Sequence, residues 1–129
     1  MVYPLAGSVI LQHFVLVVHR VVFEEREKRA IDDVYLLRVE QLYPLPLKAL
    51  VAALSRFKGA DIFWCQEEPK NMGAWNFVDR RIERVLAGLD IAAKRPRFVG
   101  RAEAASPATG LFRRHSEEQA QLVGAALAA

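Results

Sequence analysis

The sequence predicts an α/β fold built on a mostly parallel sheet, with helices on both of its faces. Short apolar runs that are typical of strands alternate along the chain with longer stretches in which apolar residues recur at helical spacing. The run from Val34 to Val39 is nearly continuous in apolar character, which is typical of a parallel strand that is covered on both faces. Right-handed crossovers between such strands place the helices on the two faces of the sheet.

Two strands and two helices are predicted in the first half of the chain. Ser8 to Leu11 is rich in β-prone residues, and from Phe14 the apolar residues follow helical spacing. After the strand at 34–39, Pro46 is predicted to be the first residue of a helix, because its fixed φ suits that position. The apolar stripe of this helix runs to Phe57, and Gly59 is predicted to stop it.

The same alternation of strands and helices is predicted in the second half of the chain. Ile62 to Cys65 is expected to be a buried strand that ends in a turn at Pro69 and Asn71. A helix is predicted from Ala74, and a further strand from Arg97 to Val99. After a loop of small residues, the last helix is predicted to bury a stripe formed by Phe112, His115, Leu122, Val123 and Ala126. One domain over residues 1–129 is expected at this length.

Composition and charge exclude several classes of protein. Hydrophobic residues make up 53% of the chain, which is typical of a globular protein and not of a disordered one. The net charge is only +3 and the charges are interspersed, so nucleic acid is not the expected partner. The apolar run at 2–18 lacks a preceding basic region and is interrupted by Gln12, His13 and His19. We therefore predict neither a signal peptide nor a membrane segment there.

The chain has one cysteine, Cys65, so no internal disulfide is possible. A single thiol suits a reducing compartment, and we predict a cytoplasmic protein. Cys65 follows Trp64 in an apolar strand with no basic neighbour, and the sequence therefore favours an inert buried thiol over a catalytic thiolate.

Glu67 and Glu68 are the sharpest candidates for chemistry. Two carboxylates at the end of a strand can form an acid/base pair. Neighbours in an extended segment point in opposite directions, however, which favours a structural or interface role for each of them. His115 is expected in the core or at an interface, with proton transfer as the alternative. The sequence contains no glycine-rich phosphate loop and no cluster with metal-ligand spacing.

Basic residues flank the loop of small residues at 100–110. They form either an anion site or a solvated surface, and the sequence leaves both alternatives open. The residues concerned are Lys70, Arg97, Arg101, Arg113 and Arg114.

Three separated sequence motifs together indicate a protein family. The first is Arg-Val-Glu-Gln-Leu-Tyr-Pro at 38–44, and the second is Gln-Glu-Glu-Pro-Lys-Asn-Met-Gly-Ala-Trp at 66–75. The third combines Gly-Arg at 100–101, Ser-Pro-Ala-Thr-Gly at 106–110 and His115. In this order they resemble the C-terminal region of the thiamine-diphosphate-dependent, decarboxylating component of 2-oxoglutarate dehydrogenase. The resemblance covers about residues 20–127, and residues 1–19 diverge from the family's pattern.

The resemblance implies a three-layer α/β/α sandwich like the C-terminal domain of transketolase. It implies that this domain packs on upstream cofactor-binding domains or on a dimer partner. The whole family enzyme uses thiamine diphosphate and magnesium, decarboxylates 2-oxoglutarate in the tricarboxylic acid cycle, and passes the succinyl group to the lipoyl arm of a succinyltransferase component. Since those upstream domains have no counterpart in the 129 residues, we expect this chain alone to bind neither cofactor and to be inactive.

The resemblance also suggests roles for particular residues. No catalytic residue and no metal ligand is predicted. The predicted interface residues are Glu67, Glu68, Asn71, Trp75 and His115. Some family members bind acetyl-CoA as an activator, and the candidates for that role here are Arg26, Arg97 and Arg101. The alternative function is a stand-alone α/β module that binds an anionic metabolite such as acetyl-CoA.

Overall fold

Strands and helices alternate along the computed structural model, which describes residues 7–13 and 16–128. The strands are β1 (Ser8–His13), β2 (Val34–Val39), β3 (Asp61–Pro69) and β4 (Arg97–Arg101). The helices are α1 (Leu16–Lys28), α2 (Leu47–Leu54), α3 (Trp75–Ala87) and α4 (Phe112–Ala128). The predicted start of the first helix at Phe14 lies outside the described residues.

The four strands of the described residues form one parallel sheet in the order β2-β1-β3-β4. The chain moves from β1 to one side to form β2, and then crosses β1 to form β3 and β4 on the other side. The crevice between the carboxyl ends of β1 and β3 is therefore the topological switch point, where ligands and partners commonly bind in open sheets. The predicted fold class, a three-layer α/β/α sandwich with a parallel sheet, is confirmed.

Alternate residues of the central strands face two separate cores, as the period of a strand requires. Leu11 and Trp64 point toward α2 and α3, whereas Ile10 and Phe63 point toward α1 and α4. All four side chains are buried. Both faces are therefore covered, which explains why the central strands are almost uniformly apolar.

Three local predictions are wrong. β3 does not end at Cys65 but continues to Pro69, because Pro69 pairs with Arg101 of β4 across an irregularity in register. The helix after Pro46 ends at Leu54, with Ser55 as its C-cap, so Gly59 does not stop it. Phe112 does not join the buried stripe of α4, since 85% of its surface is exposed.

Candidate functional site

The carboxyl edge of the sheet brings the second and third motifs together. A cavity of about 360 Å³ lies at the switch point and is bordered by the end of β3 and the start of α3. Next to it, a larger cavity of about 630 Å³ lies between residues 102–111 and α4. The loop at 66–75 and the loop that follows β4 therefore form one continuous edge.

The side chain of Gln66 organises this edge from the inside. Its Oε1 accepts hydrogen bonds from the Trp64 indole (3.0 Å) and from the backbone N–H of Trp75 (3.0 Å). Its Nε2 donates to the backbone carbonyls of Glu68 (3.2 Å), Pro69 (3.1 Å) and Met72 (2.7 Å). Gln66 is 5% exposed. One buried amide therefore fixes the path of the chain from β3 into α3. Sequence reasoning included Gln66 in a motif but missed this role, for which a polar residue directly after a buried strand was the available signal.

Two glycines let the backbone pass close to Gln66. Gly73 has a φ of +66°, in the left-handed region, and a Cβ there would lie 3.1 Å from the Gln66 amide nitrogen. A Cβ on Gly100 would lie 2.8 Å from the backbone oxygen of Gln66 and 2.5 Å from the Phe98 ring. A larger residue at Gly100 would force a shift because it would meet a backbone oxygen, and one at Gly73 would be strained by its positive φ.

Asn71 joins the two loops of the edge. Its Nδ2 donates to the Ala104 carbonyl (2.9 Å), and its Oδ1 accepts from the Ala104 N–H (3.1 Å). This pair of hydrogen bonds gives the loop after β4 a fixed position against the loop after β3. Asn71 was predicted to contact a partner, and within the described residues it holds the surface in shape.

Arg101 lies at the centre of a charged cluster at the end of β4 and is 8% exposed. Its Nη2 donates to His115 Nδ1 (3.1 Å) and to Gln119 Oε1 (3.3 Å). Glu67 lies 3.8 Å away and Glu118 lies 3.4 Å away, so two carboxylates compensate one buried guanidinium. Because a guanidinium can only donate, His115 Nδ1 is the acceptor, and the ring proton belongs on Nε2.

Glu67 and Glu68 lie on opposite faces of the extended chain, as the geometry of neighbouring strand residues requires. Glu67 faces the Arg101 and His115 cluster, with its Oε1 4.0 Å from His115 Nε2. Glu68 packs near Gly73 on the other side, where a Cβ on Gly73 would lie 3.1 Å from its Cδ. Glu68 is half-buried, and none of the residues at 7–13 and 16–128 forms an ion pair or hydrogen bond with its carboxylate.

Trp75, one of the predicted interface residues, packs inside the domain. Its side chain is only 8% exposed, and its ring packs 5.4 Å from the ring of Phe98, measured between centroids. The indole belongs to the core between α3 and the sheet, so a partner cannot reach most of it. Trp75 therefore stabilises the packing of α3 on the sheet within this domain.

Burial raises the pKa of the Cys65 thiol to about 11, and the nearby Gln12 amide offsets part of that rise. We expect Cys65 in the folded chain to react with a thiol reagent at pH 8 on the order of 100-fold more slowly than in urea, because the thiolate fraction falls. The folded chain holds this proton more tightly than the unfolded chain. The corresponding stability is thus present below the usual pKa of 9.0 and is lost as the pH rises from there toward 11. Equal rates with and without urea would contradict the prediction.

Metal and membrane functions gain no support from the described residues. Residues 7–13 and 16–128 contain no group of three or more His, Cys, Asp or Glu side chains that could hold a metal ion. No helix in that part of the chain is long and apolar enough to cross a membrane.

Comparison with known proteins decides the family. Residues 14–127 match the family described as 2-oxoglutarate dehydrogenase C-terminal. The chain belongs to this family. Among its relatives are the 2-oxoglutarate dehydrogenase E1 components of Brucella anthropi, Brucella ovis and Brucella melitensis. Each is 61% identical to this chain over 105 residues, which cover 81% of this chain and 10% of the relative. The chain thus spans about a tenth of the length of the E1 components that it matches.

The three arginines that the resemblance to this 2-oxoglutarate dehydrogenase family suggested for acetyl-CoA do not converge. Arg26 is buried at the amino edge of the sheet, where its Nε donates to the Val34 carbonyl (2.7 Å). Arg97 begins β4 at that same edge and lies 3.8 Å from Asp61. Arg101 lies at the opposite end of β4, about 13 Å from Arg97 at the usual rise of a strand. Only Arg101 belongs to the carboxyl edge that holds the family motifs.

Proposed function

We propose that this chain acts as the C-terminal domain of an E1 component and binds the remaining domains of that component, or its dimer partner, through the carboxyl edge of the sheet. Glu68 is the observation that supports this most directly. Its carboxylate lines the switch-point cavity and has no ion pair or hydrogen bond within residues 7–13 and 16–128. It is therefore available to accept a cation or an N–H group of the adjoining domain. His115 and Glu67 border the same edge, and Asn71 fixes its shape.

The proposed role is structural and not catalytic. The two adjacent carboxylates face opposite sides, and Glu67 lies beside the guanidinium of Arg101. The described residues therefore do not fit a magnesium site, and the Cys65 thiol is protonated at neutral pH. Thiamine diphosphate and magnesium would then be held by other domains of the E1 component. We also propose that the E1 component to which this chain would belong carries out oxidative decarboxylation of 2-oxoglutarate in the tricarboxylic acid cycle. It would transfer the succinyl group to a succinyltransferase component, and it would be located in the cytoplasm.

A chimera provides the test. The 105 matched residues of the Brucella ovis E1 component would be replaced by the corresponding part of this chain, and decarboxylation of 2-oxoglutarate would be followed with thiamine diphosphate and magnesium present. We expect the chimera to be active and the isolated 129-residue chain to be inactive. Turnover by the isolated chain, or a chimera that assembles but has no activity, would overturn the proposal.

Glu68→Gln tests the edge within the same chimera. Removing the charge should weaken the contact with the adjoining domain, and we expect a loss of activity of about tenfold. Glu117→Gln is the matched control, because Glu117 is exposed and its partner, Arg113, lies on the same helix. Equal activity of the two variants would contradict the assignment of Glu68.

Binding of an anionic metabolite such as acetyl-CoA is a second proposal, and one observation favours it. The cavity of about 630 Å³ beside residues 102–111 is bordered by Arg101 and Arg114. Glu118 lies 3.0 Å from Arg114 and 3.4 Å from Arg101, so a ligand would have to compete with a carboxylate. Titration of the isolated chain with acetyl-CoA should shift the backbone amide resonances of residues 101–111. Unchanged resonances there would reject this proposal.

A further inference from the structure

A second exposed surface lies along the seam between α2 and α3, away from the family motifs. It is a groove of about 500 Å³, and we call it the α2/α3 groove. Three of its apolar side chains are exposed: Tyr43 (81%), Leu47 (51%) and Val51 (41%). A contiguous exposed apolar surface of this kind commonly marks an interaction site.

The charge of the α2/α3 groove has one sign. Among the residues that the structure describes, Arg81 and Arg84 are the only charged ones that line it, and none of its lining residues is a carboxylate. Arg81 is held in place, since its guanidinium carbon lies 3.8 Å from the centroid of the Phe77 ring and its Nη1 donates to the Phe77 carbonyl (2.6 Å). Arg84 is exposed, and its guanidinium has no ion pair or hydrogen bond within residues 7–13 and 16–128. The surface therefore suits an occupant that presents apolar side chains together with carboxylates.

The α2/α3 groove is also continuous with the carboxyl edge. Leu42 and Phe77 line the switch-point cavity, and Tyr43, which follows Leu42 in the chain, lines the groove. The rings of Tyr43 and Phe77 meet edge to face, with their centroids 6.5 Å apart. A partner that covers the carboxyl edge can therefore extend along α3 into the groove without a gap.

We infer that the α2/α3 groove is a second docking surface, which holds an apolar segment with carboxylate side chains from the rest of the E1 polypeptide. This inference rests on the proposed function and adds a separate contact to it. In the matched E1 components, about nine tenths of the length lies outside the part that this chain covers. An E1 polypeptide therefore contains ample chain to supply that segment. Arg84 would pair with a carboxylate of the segment, and Leu47 and Val51 would bury its apolar side chains.

Hydrogen exchange of backbone amides tests the inference in the chimera described above. We expect the amides of residues 47–51 and 81–89 to exchange at least tenfold more slowly in the chimera than in the isolated chain. Exchange at 66–75 reports separately on the proposed carboxyl edge. Protection at 66–75 with unchanged exchange at 47–51 and 81–89 would overturn the second docking surface and leave the proposed function intact. An absence of protection at both surfaces would overturn both.

Substitutions at exposed positions identify the contact without disturbing the fold. Leu47→Ser and Arg84→Glu should each remove most of the added protection at 81–89. Phe23→Ser is the matched apolar control, because Phe23 is 48% exposed and lies in the opposite helix layer. Lys48→Glu is the matched charge control, because Lys48 lies on α2 but does not line the groove.

Two results would contradict the inferred occupant. If the control variants lose protection as strongly as Leu47→Ser and Arg84→Glu, the effect is not specific to the groove. If the isolated chain forms a dimer by light scattering and Leu47→Ser makes it monomeric, the occupant is a second copy of this chain. We expect the isolated chain to stay monomeric.

Discussion

Replacement of Gln66 by leucine is expected to lower the free energy of unfolding by about 3–4 kcal/mol, since several buried groups would lose their partners at once. The Trp64 indole N–H and the Trp75 backbone N–H would no longer have the Oε1 acceptor. The carbonyls of Pro69 and Met72 would lose their shared donor. Leucine has a similar volume, so the loss would come from unpaired polar groups and not from a cavity. Urea unfolding followed by tryptophan fluorescence measures the change.

Gln121→Leu is the control for that measurement. Gln121 is exposed on α4, and the same substitution there should change stability by less than about 0.5 kcal/mol. A Gln66→Leu chain whose stability falls by no more than that of the control would show that the five hydrogen bonds to this amide contribute little. A variant that fails to fold at all would agree with the prediction.

The second large effect is expected from Arg101→Gln. This substitution leaves the Glu67 and Glu118 carboxylates without the guanidinium between them. Removing one partner of a fully buried ion pair costs about 3–5 kcal/mol, and we expect about 2–3 kcal/mol here because water partly screens these carboxylates. Their side chains are 25% and 24% exposed, respectively. The measurement is again the free energy of unfolding in urea.

Arg97→Gln is a control at the other end of the same strand. Arg97 and its partner Asp61 are 67% and 62% exposed and lie 3.8 Å apart, so the cost should be below about 0.5 kcal/mol. Adding Glu67→Gln to Arg101→Gln should restore part of the lost stability, because Glu67, unlike Glu118, has no second arginine partner within residues 7–13 and 16–128. Equal effects of Arg97→Gln and Arg101→Gln would contradict the assignment of Arg101 as the buried centre of the cluster.

Most of the fold could be predicted because it depends on local patterns. The nearly continuous apolar character of Val34–Val39 predicted a strand, and the structure confirms the strand. Its predicted coverage on both faces is only partial, because β2 lies at the edge of the sheet and only Val34 and Val39 of the strand are buried. The boundary of β3 could not be predicted in the same way. Pro69 remains in the strand because Arg101, more than 30 residues later, pairs with it. A proline normally ends a strand, so only the tertiary partner reveals this exception.

The candidate site was predictable in its position but not in its internal arrangement. The motif at 66–75 identified the loop, and the opposite directions of Glu67 and Glu68 followed from strand geometry. The burial of Trp75 did not follow, because an aromatic residue at the start of a helix can face either a partner or the core. The Arg101 cluster did not follow either, since His115 lies 14 residues away along the chain and reaches Arg101 only when α4 packs back on the sheet.

The sequence by itself determined the alternation of strands and helices, the family motifs and the inert character of Cys65, because each depends on residues that are close along the chain. Tertiary structure decided which polar groups meet. Gln66 became the centre of the carboxyl edge only when β3 and α3 brought their backbone groups to one side chain. The α2/α3 groove arose only when the segment at 43–51 packed beside α3. Hydrogen bonds and surfaces between distant segments depend on relative positions in space, and periodicity along the chain does not encode them.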